Sequence, residues 1–172
     1  MILNINENTK QNVFDDIMKA LWAHDLPHLM MNIEKPWGGY FTFPDNVIDK
    51  FCNLFFSGID INEILHQKNM QLSPKILVVE PSCRLSWQYH HRRSELWRCI
   101  YNQVGVVLSD TDEETECEIL SEGDHVVIGQ GQRHRLVGLD KYGVIAELWQ
   151  HVDPENPSNE QDIIRVSDDF GR

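Results

Sequence analysis

The chain has 172 residues, of which 41% are hydrophobic and 24% are charged, and this length and composition are typical of one globular domain with its own core. Its 27 acidic and 15 basic residues give a formal net charge of -12, which argues against nucleic acid or an anionic membrane surface as a partner because both require a basic footprint. A small anionic ligand is compatible with this charge if basic side chains cluster locally.

Cysteine usage indicates a reducing compartment. The four cysteines, at positions 52, 83, 99 and 117, form neither a CxxC pair nor a zinc-finger spacing, so we expect free, mostly buried thiols and a cytoplasmic location, with disulfides as the minor alternative. No run reaches the roughly 18 apolar residues that a membrane-spanning helix needs. The first residues lack the basic start and apolar run of a signal peptide.

Two amphipathic helices are predicted in the N-terminal third of the chain. Apolar residues recur at helical spacing within residues 12–24 and again within residues 44–58. Asp45 or Asn46 is expected to cap the second helix, and Gly58 is expected to end it.

From residue 71 the pattern changes to short runs rich in valine, isoleucine and aromatic residues. The runs are KILVVE, RLSWQYH, ELWRCIYNQVGVVLSD, ECEILSEGDHVVIG, HRLVGL and GVIAELWQHV. Many short strands at regular spacing indicate a β-sandwich or small barrel. We therefore divide the chain into an N-terminal helical extension that packs on the barrel, residues 1–33, and a β domain, residues 34–172. Residues 110–116 and 153–162 are expected to be solvated surface loops.

Two adjacent histidines decide the orientation of a candidate site. Neighbouring strand residues point to opposite faces, so His90 and His91 cannot both face the interior, whereas Gln88 and His90 can. A hairpin turn can bring Glu95 back beside His90, and His134 follows a glycine-punctuated turn where another strand would begin. The donor atoms of Gln88, His90, Glu95 and His134 suit a divalent transition metal with positions left for water or substrate. The alternative is an ordinary set of polar surface or core residues, which a lone histidine would favour.

The spacing of these residues resembles the two cupin motifs. The first motif, G-x5-H-x-H-x3-4-E-x6-G, aligns with Ser82, Gln88, His90, Glu95 and Asn102. The second motif, G-x5-P-x-G-x2-H-x3-N, aligns with Gly123, Gly129, Gly131, His134 and Gly138. The spacing is retained at every element, although glutamine replaces the first histidine and several flanking turn residues differ. The resemblance implies a mainly β fold, the cupin double-stranded β-helix or jelly-roll barrel, with N-terminal helices.

Longer stretches narrow the resemblance to one family. EKPWGGY at 34–40, LSWQYHHRRSELW at 85–97, HRL at 134–136 and DIIRVSDDFGR at 162–172 occur in the order in which similar segments occur in the type II phosphomannose isomerase domain. Glutamine in place of the first cupin histidine is also that family's choice. Arg92 and Leu96 replace two histidines of the family, and neither is among the proposed ligands.

The resemblance implies a metal-dependent isomerase that interconverts an aldose phosphate and a ketose phosphate, such as mannose 6-phosphate and fructose 6-phosphate. One divalent ion, with zinc favoured over manganese, iron, nickel or cobalt, would polarise the substrate oxygens. Glu147 and Lys75 are the candidate general bases. Arg135, next to a ligand in sequence, is the candidate for orienting the substrate or stabilising negative charge.

Basic residues near these motifs are the candidate contacts for the phosphate of a small sugar phosphate. They are Arg92, Arg93 and Arg165 together with Lys75 and Arg135, and for any one of them a surface position is an equally good interpretation. Trp37 is a candidate substrate contact because the family places its PWG segment near the barrel mouth. The other tryptophans in these motifs are expected in the core.

Two other functions stay open. A non-catalytic cupin that binds a sugar or sugar phosphate is favoured by the loss of the family histidines at positions 92 and 96. A metal-dependent oxygenase is the third class, and Gln88 argues weakly against it because oxygen-activating sites usually use two histidines and a carboxylate or three histidines. A homodimer formed through sheet edges also stays open.

Overall fold

The computed structural model describes residues 3–61 and 72–171. Within these ranges the chain forms α1 (Lys10–Ala23), a short 3-10 turn (Asp45–Val47) and α2 (Ile48–Phe55). The strands are β1 (Met30–Lys35), β2 (Gly38–Thr42), β3 (Leu72–Val79), β4 (Trp87–Tyr89), β5 (Arg93–Tyr101), β6 (Gln103–Ser109), β7 (Glu118–Ser121), β8 (His125–Ile128), β9 (Arg133–Gly138), β10 (Gly143–His151) and β11 (Ile164–Ser167).

Both predicted helices are present, with different bounds. The Thr9 side chain accepts a hydrogen bond from the backbone N–H of Asn12, which caps α1. The second helix is shorter than predicted because it begins with the 3-10 turn. The capping prediction for Asp45 and Asn46 is wrong, since α2 begins after Val47 without a side-chain cap. Gly58 adopts a positive φ of 84°, three residues after α2 ends.

The strands form two antiparallel sheets. The six-stranded sheet has the order β1-β2-β3-β10-β5-β8, and the five-stranded sheet has the order β11-β4-β9-β6-β7. The prediction of a mainly β fold is therefore confirmed. The predicted boundary between residues 33 and 34 falls inside β1, and the division into an extension and a barrel stays a prediction.

Side-chain alternation along the strands separates two apolar clusters. Ile76 and Val78 belong to the outer cluster, which includes the buried faces of α1 and α2. Leu77 and Val79, their neighbours on β3, belong to the inner cluster together with Leu136 from the opposite sheet. The period of two thus directs one face of the six-stranded sheet towards the helices and the other towards the barrel interior.

Two turns keep their backbone shape although the cupin glycines are replaced. Ser82 and Asn102 occupy the glycine positions of the first motif, and their φ angles are 58° and 55°. Glycine adopts this left-handed region without steric cost, and asparagine tolerates it better than most residues. The Asn102 side chain also donates a hydrogen bond of 2.9 Å to the carbonyl oxygen of Tyr142, so a contact within the fold holds this turn.

Two smaller expectations concern the helices and the thiols. No helix among the described residues is long and apolar enough to cross a membrane. The four cysteines are free, as predicted. Cys99 is buried, but Cys117 is exposed and the other two are half-buried, so the expectation of mostly buried thiols is wrong.

Candidate metal centre and adjoining cavity

His90, Glu95 and His134 converge in the barrel interior. His90 follows β4, Glu95 lies on β5 and His134 lies on β9, so both sheets contribute. One donor atom from each residue lies within 4.8 Å of the other two. The Glu95 carboxylate oxygens lie 3.3 Å from His90 Nε2 and 3.5 Å from His134 Nε2. His91 is exposed, as expected from its opposite phase.

Hydrogen bonds at the far side of each ring orient the two histidines. His90 Nδ1 donates to the carbonyl oxygen of Asp162 and His134 Nδ1 to that of Gln132, each at 2.9 Å. The Nε2 atoms therefore carry lone pairs that face the triad, and His134 Nε2 has no hydrogen-bond partner among the described residues. This is the usual arrangement of metal-ligating histidines, and the set of two imidazoles and a carboxylate fits a divalent transition metal.

The electrostatics of the triad favour the ligand-competent protonation states. Burial is the main cause that lowers the pKa of His90 to about 3, and burial likewise lowers the pKa of His134. Burial alone would raise the pKa of Glu95, but the charge and hydrogen bond of Arg93 together with the two histidines outweigh burial, and the pKa is lowered. Neutral imidazoles and an ionised carboxylate are the forms that bind a metal.

Gln88 lies beside the triad. It is paired with His134 across β4 and β9, and its Oε1 accepts a hydrogen bond of 2.6 Å from the Ser86 hydroxyl. The side chain lines the cavity described below. Its role as a fourth ligand stays a prediction.

Arg93 lines the cavity described below and also lies against the triad. Its side chain is 2% exposed, and its contact with phosphate stays a prediction. Its Nε donates to Glu95 Oε1 at 2.6 Å, and its Nη2 lies 2.9 Å from His90 Nε2. Alternation explains this position, because Arg93 and Glu95 are two residues apart on β5 and share a face.

A cavity of about 510 Å³, part of it open to solvent, adjoins the triad on the other side of Arg93. Four basic residues line it in a chain of net negative charge. Its lining side chains include Lys35, Lys75, Arg93, Arg165, Glu147, Glu160, Trp37, Tyr40, Trp149 and Gln88. The predicted residues Lys75, Glu147, Arg165 and Trp37 are thus brought together.

Glu147 is the buried carboxyl group of this cavity. It lies directly opposite Lys75 on β3 and Trp97 on β5. The Trp97 indole N–H donates to Glu147 Oε1 at 2.9 Å and to Glu95 Oε2 at 3.0 Å, so it bridges the two carboxyl groups. Burial, and then the negative charge of Glu95, raise the pKa of Glu147 to about 8.

The Lys75 ammonium group faces the same cavity and is held by two neighbours. It pairs with Glu160, and it lies 3.6 Å from the centre of the Trp149 ring. The Arg93 guanidinium lies 3.5 Å from the same ring, so Trp149 supports two cations at once.

Comparison with known proteins agrees with this geometry. A family model described as "Mannose-6-phosphate isomerase C-terminal" matches residues 56–168 of the chain. The chain belongs to this family. The expected family resemblance is therefore confirmed, and the fold and the triad belong to a mannose-phosphate isomerase-like cupin domain.

One curated relative and several solved structures are similar to this family member. A "Mannose-1-phosphate guanylyltransferase" from Sinorhizobium fredii is 28% identical over 158 residues, which cover 90% of this chain and 25% of that protein. The chain thus spans about a quarter of the length of this relative.

The structural neighbours include KdgF from Halomonas sp., with a TM-score of 0.51, 13% identity and coverage of 77% of this chain and 91% of that one. A variant of the Bacillus subtilis oxalate decarboxylase OxdC has a TM-score of 0.55 and 12% identity, with coverage of 79% and 30%. These similarities confirm the cupin fold.

Arg135 is not brought to the cavity, so its predicted catalytic position is corrected. It follows His134 on β9 and therefore points to the opposite face of the sheet. There its Nη1 donates to Glu114 at 2.8 Å and its Nη2 donates to the hydroxyl of Ser167 at 3.2 Å. Glu114 lies in the acidic segment 110–116, which covers this arginine instead of forming only a solvated hairpin end.

The two departures from the family motif also lie away from the cavity. Arg92 Nη1 donates to Asn156 Oδ1 at 2.6 Å and to the Pro157 carbonyl oxygen at 3.0 Å, so its guanidinium fastens a loop. Leu96 is fully buried in the outer cluster with the helices. Arg92 is not among the residues that line the cavity, so this position does not favour the predicted contact between Arg92 and phosphate.

The segment 153–162 has a larger role than the polar surface loop that was predicted. The Asp162 carboxylate accepts hydrogen bonds from the backbone N–H groups of His91 and Arg92 and from the Ser158 hydroxyl. Its carbonyl oxygen accepts from His90, and Glu160 reaches the cavity. The only sequence signal for this role was Asp162 at the start of the segment DIIRVSDDFGR.

Proposed function

We propose that the chain is a metal-dependent sugar-phosphate isomerase that interconverts an aldose phosphate and a ketose phosphate, with mannose 6-phosphate and fructose 6-phosphate as the favoured pair. The observation that carries this proposal is Glu147, a buried carboxyl group with a pKa near 8 in a cavity beside the triad. Membership of the mannose-6-phosphate isomerase C-terminal family supports the choice of substrate.

Glu147 is the proposed acid–base group. Aldose–ketose isomerisation moves one proton between adjacent carbon atoms, so the same group has to accept a proton and return it. A pKa near the working pH favours both steps. The Trp97 N–H, which donates to Glu147 Oε1, holds the carboxyl group in position.

His90, Glu95 and His134, with Gln88 as the proposed fourth ligand, would hold one divalent ion, for which zinc is favoured. When bound, the ion would act as a Lewis acid that polarises the substrate oxygens. The chain's own residues orient this set, since the carbonyl oxygens of Asp162 and Gln132 fix both imidazole rings.

Lys75, Arg165 and Lys35 are the proposed phosphate contacts because they line the cavity. Lys75 is paired with Glu160, so phosphate binding would exchange one anionic partner of the lysine for another. Trp37 and Trp149 form apolar walls of the same cavity and would exclude water from the reacting carbon atoms.

The test is interconversion of mannose 6-phosphate and fructose 6-phosphate in deuterated water by metal-loaded protein, followed by NMR. We expect both sugars to appear, with deuterium at C1 or C2, although a shielded base can return the original proton. Glu147→Gln should lower kcat about 10²- to 10⁴-fold. The matched control is Glu113→Gln, in the exposed acidic segment, which should keep full activity. Full activity of Glu147→Gln would contradict the assigned base.

The second candidate is a non-catalytic cupin that binds a sugar phosphate. One observation favours it: Arg93 lines the cavity and is hydrogen-bonded to Glu95 and His90, two of the proposed metal ligands. Binding of hexose, pentose and heptose phosphates without interconversion of any of them would select this function. A homodimer and a cytoplasmic location stay predictions.

A further inference from the structure

Arg93 uses the same atoms of the triad that a metal ion would use. Its Nε donates to Glu95 Oε1 at 2.6 Å, and its Nη2 lies 2.9 Å from His90 Nε2. A guanidinium group has only donors, and the Nδ1 proton of His90 is directed at the Asp162 carbonyl oxygen. His90 Nε2 therefore accepts from Arg93 with the lone pair that would otherwise bind a metal.

Arg93 contacts both the cavity and the triad. The arginine and its stacking partner Trp149 line the cavity, whereas His90, Glu95 and His134 are not among the lining residues and are 1–2% exposed. A ligand in the cavity can therefore contact the guanidinium without contacting the triad.

We propose that Arg93 and a divalent metal ion compete for His90 and Glu95, and that an anion bound in the cavity favours the metal by pairing with Arg93. The proposal rests on the metal site of the proposed function. Arginine binds phosphate or sulfate through two parallel hydrogen bonds, which compensates the loss of Glu95 as its partner. Lys75 and Arg165 line the same cavity and add positive charge.

The contacts around Arg93 allow its side chain to exchange partners while the segment 153–162 keeps its position. Arg93 Nη1 donates to the Ser158 hydroxyl at 2.9 Å and to the Asn159 carbonyl oxygen at 3.3 Å, and both bonds would be released. The loop keeps its bonds from Asp162 to the backbone of His91 and Arg92. The imidazole ring of His90 therefore stays oriented when Arg93 moves.

Thermodynamic linkage makes the effect reciprocal. If the anion raises the affinity for the metal by some factor, the metal raises the affinity for the anion by the same factor. A residue that only stabilises the fold would produce no such coupling, and this difference makes the proposal testable without an activity assay.

The experiment is a calorimetric titration of cobalt(II) into metal-free protein, with and without saturating sulfate. The wild-type chain should bind cobalt on the order of tenfold more tightly in the presence of sulfate. Arg93→Met should bind cobalt more tightly than the wild type when sulfate is absent, and sulfate should no longer change its affinity. The visible spectrum of bound cobalt reports the ligand set in each case.

Two further variants keep the result interpretable. Arg93→Lys retains the charge but loses the planar fork, so it should show weaker coupling even if Arg93→Met folds poorly. Arg165→Met, which removes a cavity cation that touches none of the triad, should weaken sulfate binding but keep the coupling at saturation. Equal cobalt affinity in the wild type and Arg93→Met, with and without sulfate, would overturn the competition while leaving the metal site intact. Failure of every folded variant to bind cobalt would overturn the metal site itself and the competition with it.

Discussion

Among the described residues, Arg93 and Arg135 are the two arginines that are almost fully buried, and the two differ in the burial of their carboxylate partners. Arg93 is 2% exposed and Arg135 is 1% exposed. The partner of Arg93, the Glu95 carboxylate, is also buried and is shared with two histidines. The partner of Arg135 is Glu114, whose side chain is 36% exposed in a covering loop. Burial of a charge therefore does not by itself mark a site, whereas a buried partner shared by several polar groups does.

The largest expected difference between the two regions is in metal content. His134→Ala should reduce bound metal from close to one ion per chain to almost none, because it removes the imidazole whose Nε2 has no other described partner. Arg135→Met, one residue along β9, should keep the ion because its side chain points to the opposite face. Elemental analysis after gel filtration measures both, with His91→Ala as the exposed histidine control. Equal metal loss in His134→Ala and Arg135→Met would refute the assignment of faces.

The next difference is in stability without metal. Glu95→Gln leaves Arg93 buried without its counter-charge and should lower the free energy of unfolding by about 3–5 kcal/mol. Glu114→Gln removes a partially exposed partner and should cost about 1 kcal/mol or less. Urea denaturation in the presence of chelator measures both values. The double variant Arg93→Met/Glu95→Gln should be more stable than Glu95→Gln alone. Equal losses of unfolding free energy in Glu95→Gln and Glu114→Gln would contradict the difference between the two arginines.

The region around Arg93 and the triad should also determine how stability depends on pH. Because the pKa of Glu147 is raised from 4.5 to about 8, the folded state retains a proton that the unfolded state releases, and stability falls as pH rises through this window. His90, with its pKa lowered from 6.5 to about 3, acts oppositely, and stability falls as pH drops below 6.5. Between pH 6.5 and 8 the effect of Glu147 should dominate. Glu147→Gln should flatten the plot of melting temperature against pH in this interval. An unchanged slope of that plot would contradict the raised pKa of Glu147.

The smallest expected effect concerns Arg92. Arg92→His removes bonds to Asn156 and Pro157 on a partly exposed loop, so it should cost about 1 kcal/mol of stability with metal content and KM nearly unchanged. Arg165→His, in the cavity lining, should raise KM for the sugar phosphate instead. Steady-state kinetics with both variants separates loop fastening from substrate contact. A higher KM in Arg92→His but not in Arg165→His would instead support a contact between Arg92 and phosphate.

The triad and the fold could be predicted because they follow from spacing and from the period of two. The same period also predicts that Arg93 shares a face with Glu95 and that Arg135 points away from His134. The strand pattern therefore contains the information that places both arginines. The loop positions of Asp162 and Glu160 could not be predicted in this way, since they depend on long-range contacts with the turn after His90 and with Lys75. Strand periodicity carries no information about where a loop folds back.

The central position of β10 in the six-stranded sheet has a consequence for how the protein reaches its native state. This strand pairs with β3 and β5, although it begins only at Gly143, and every one of its residues is buried. During synthesis β3 and β5 leave the ribosome well before their shared partner does, and they expose unpaired backbone edges until it arrives. Pairings between distant segments of this kind slow folding and expose the nascent chain to aggregation. We therefore expect slow, late assembly of the barrel and a benefit from chaperones that shield strand edges.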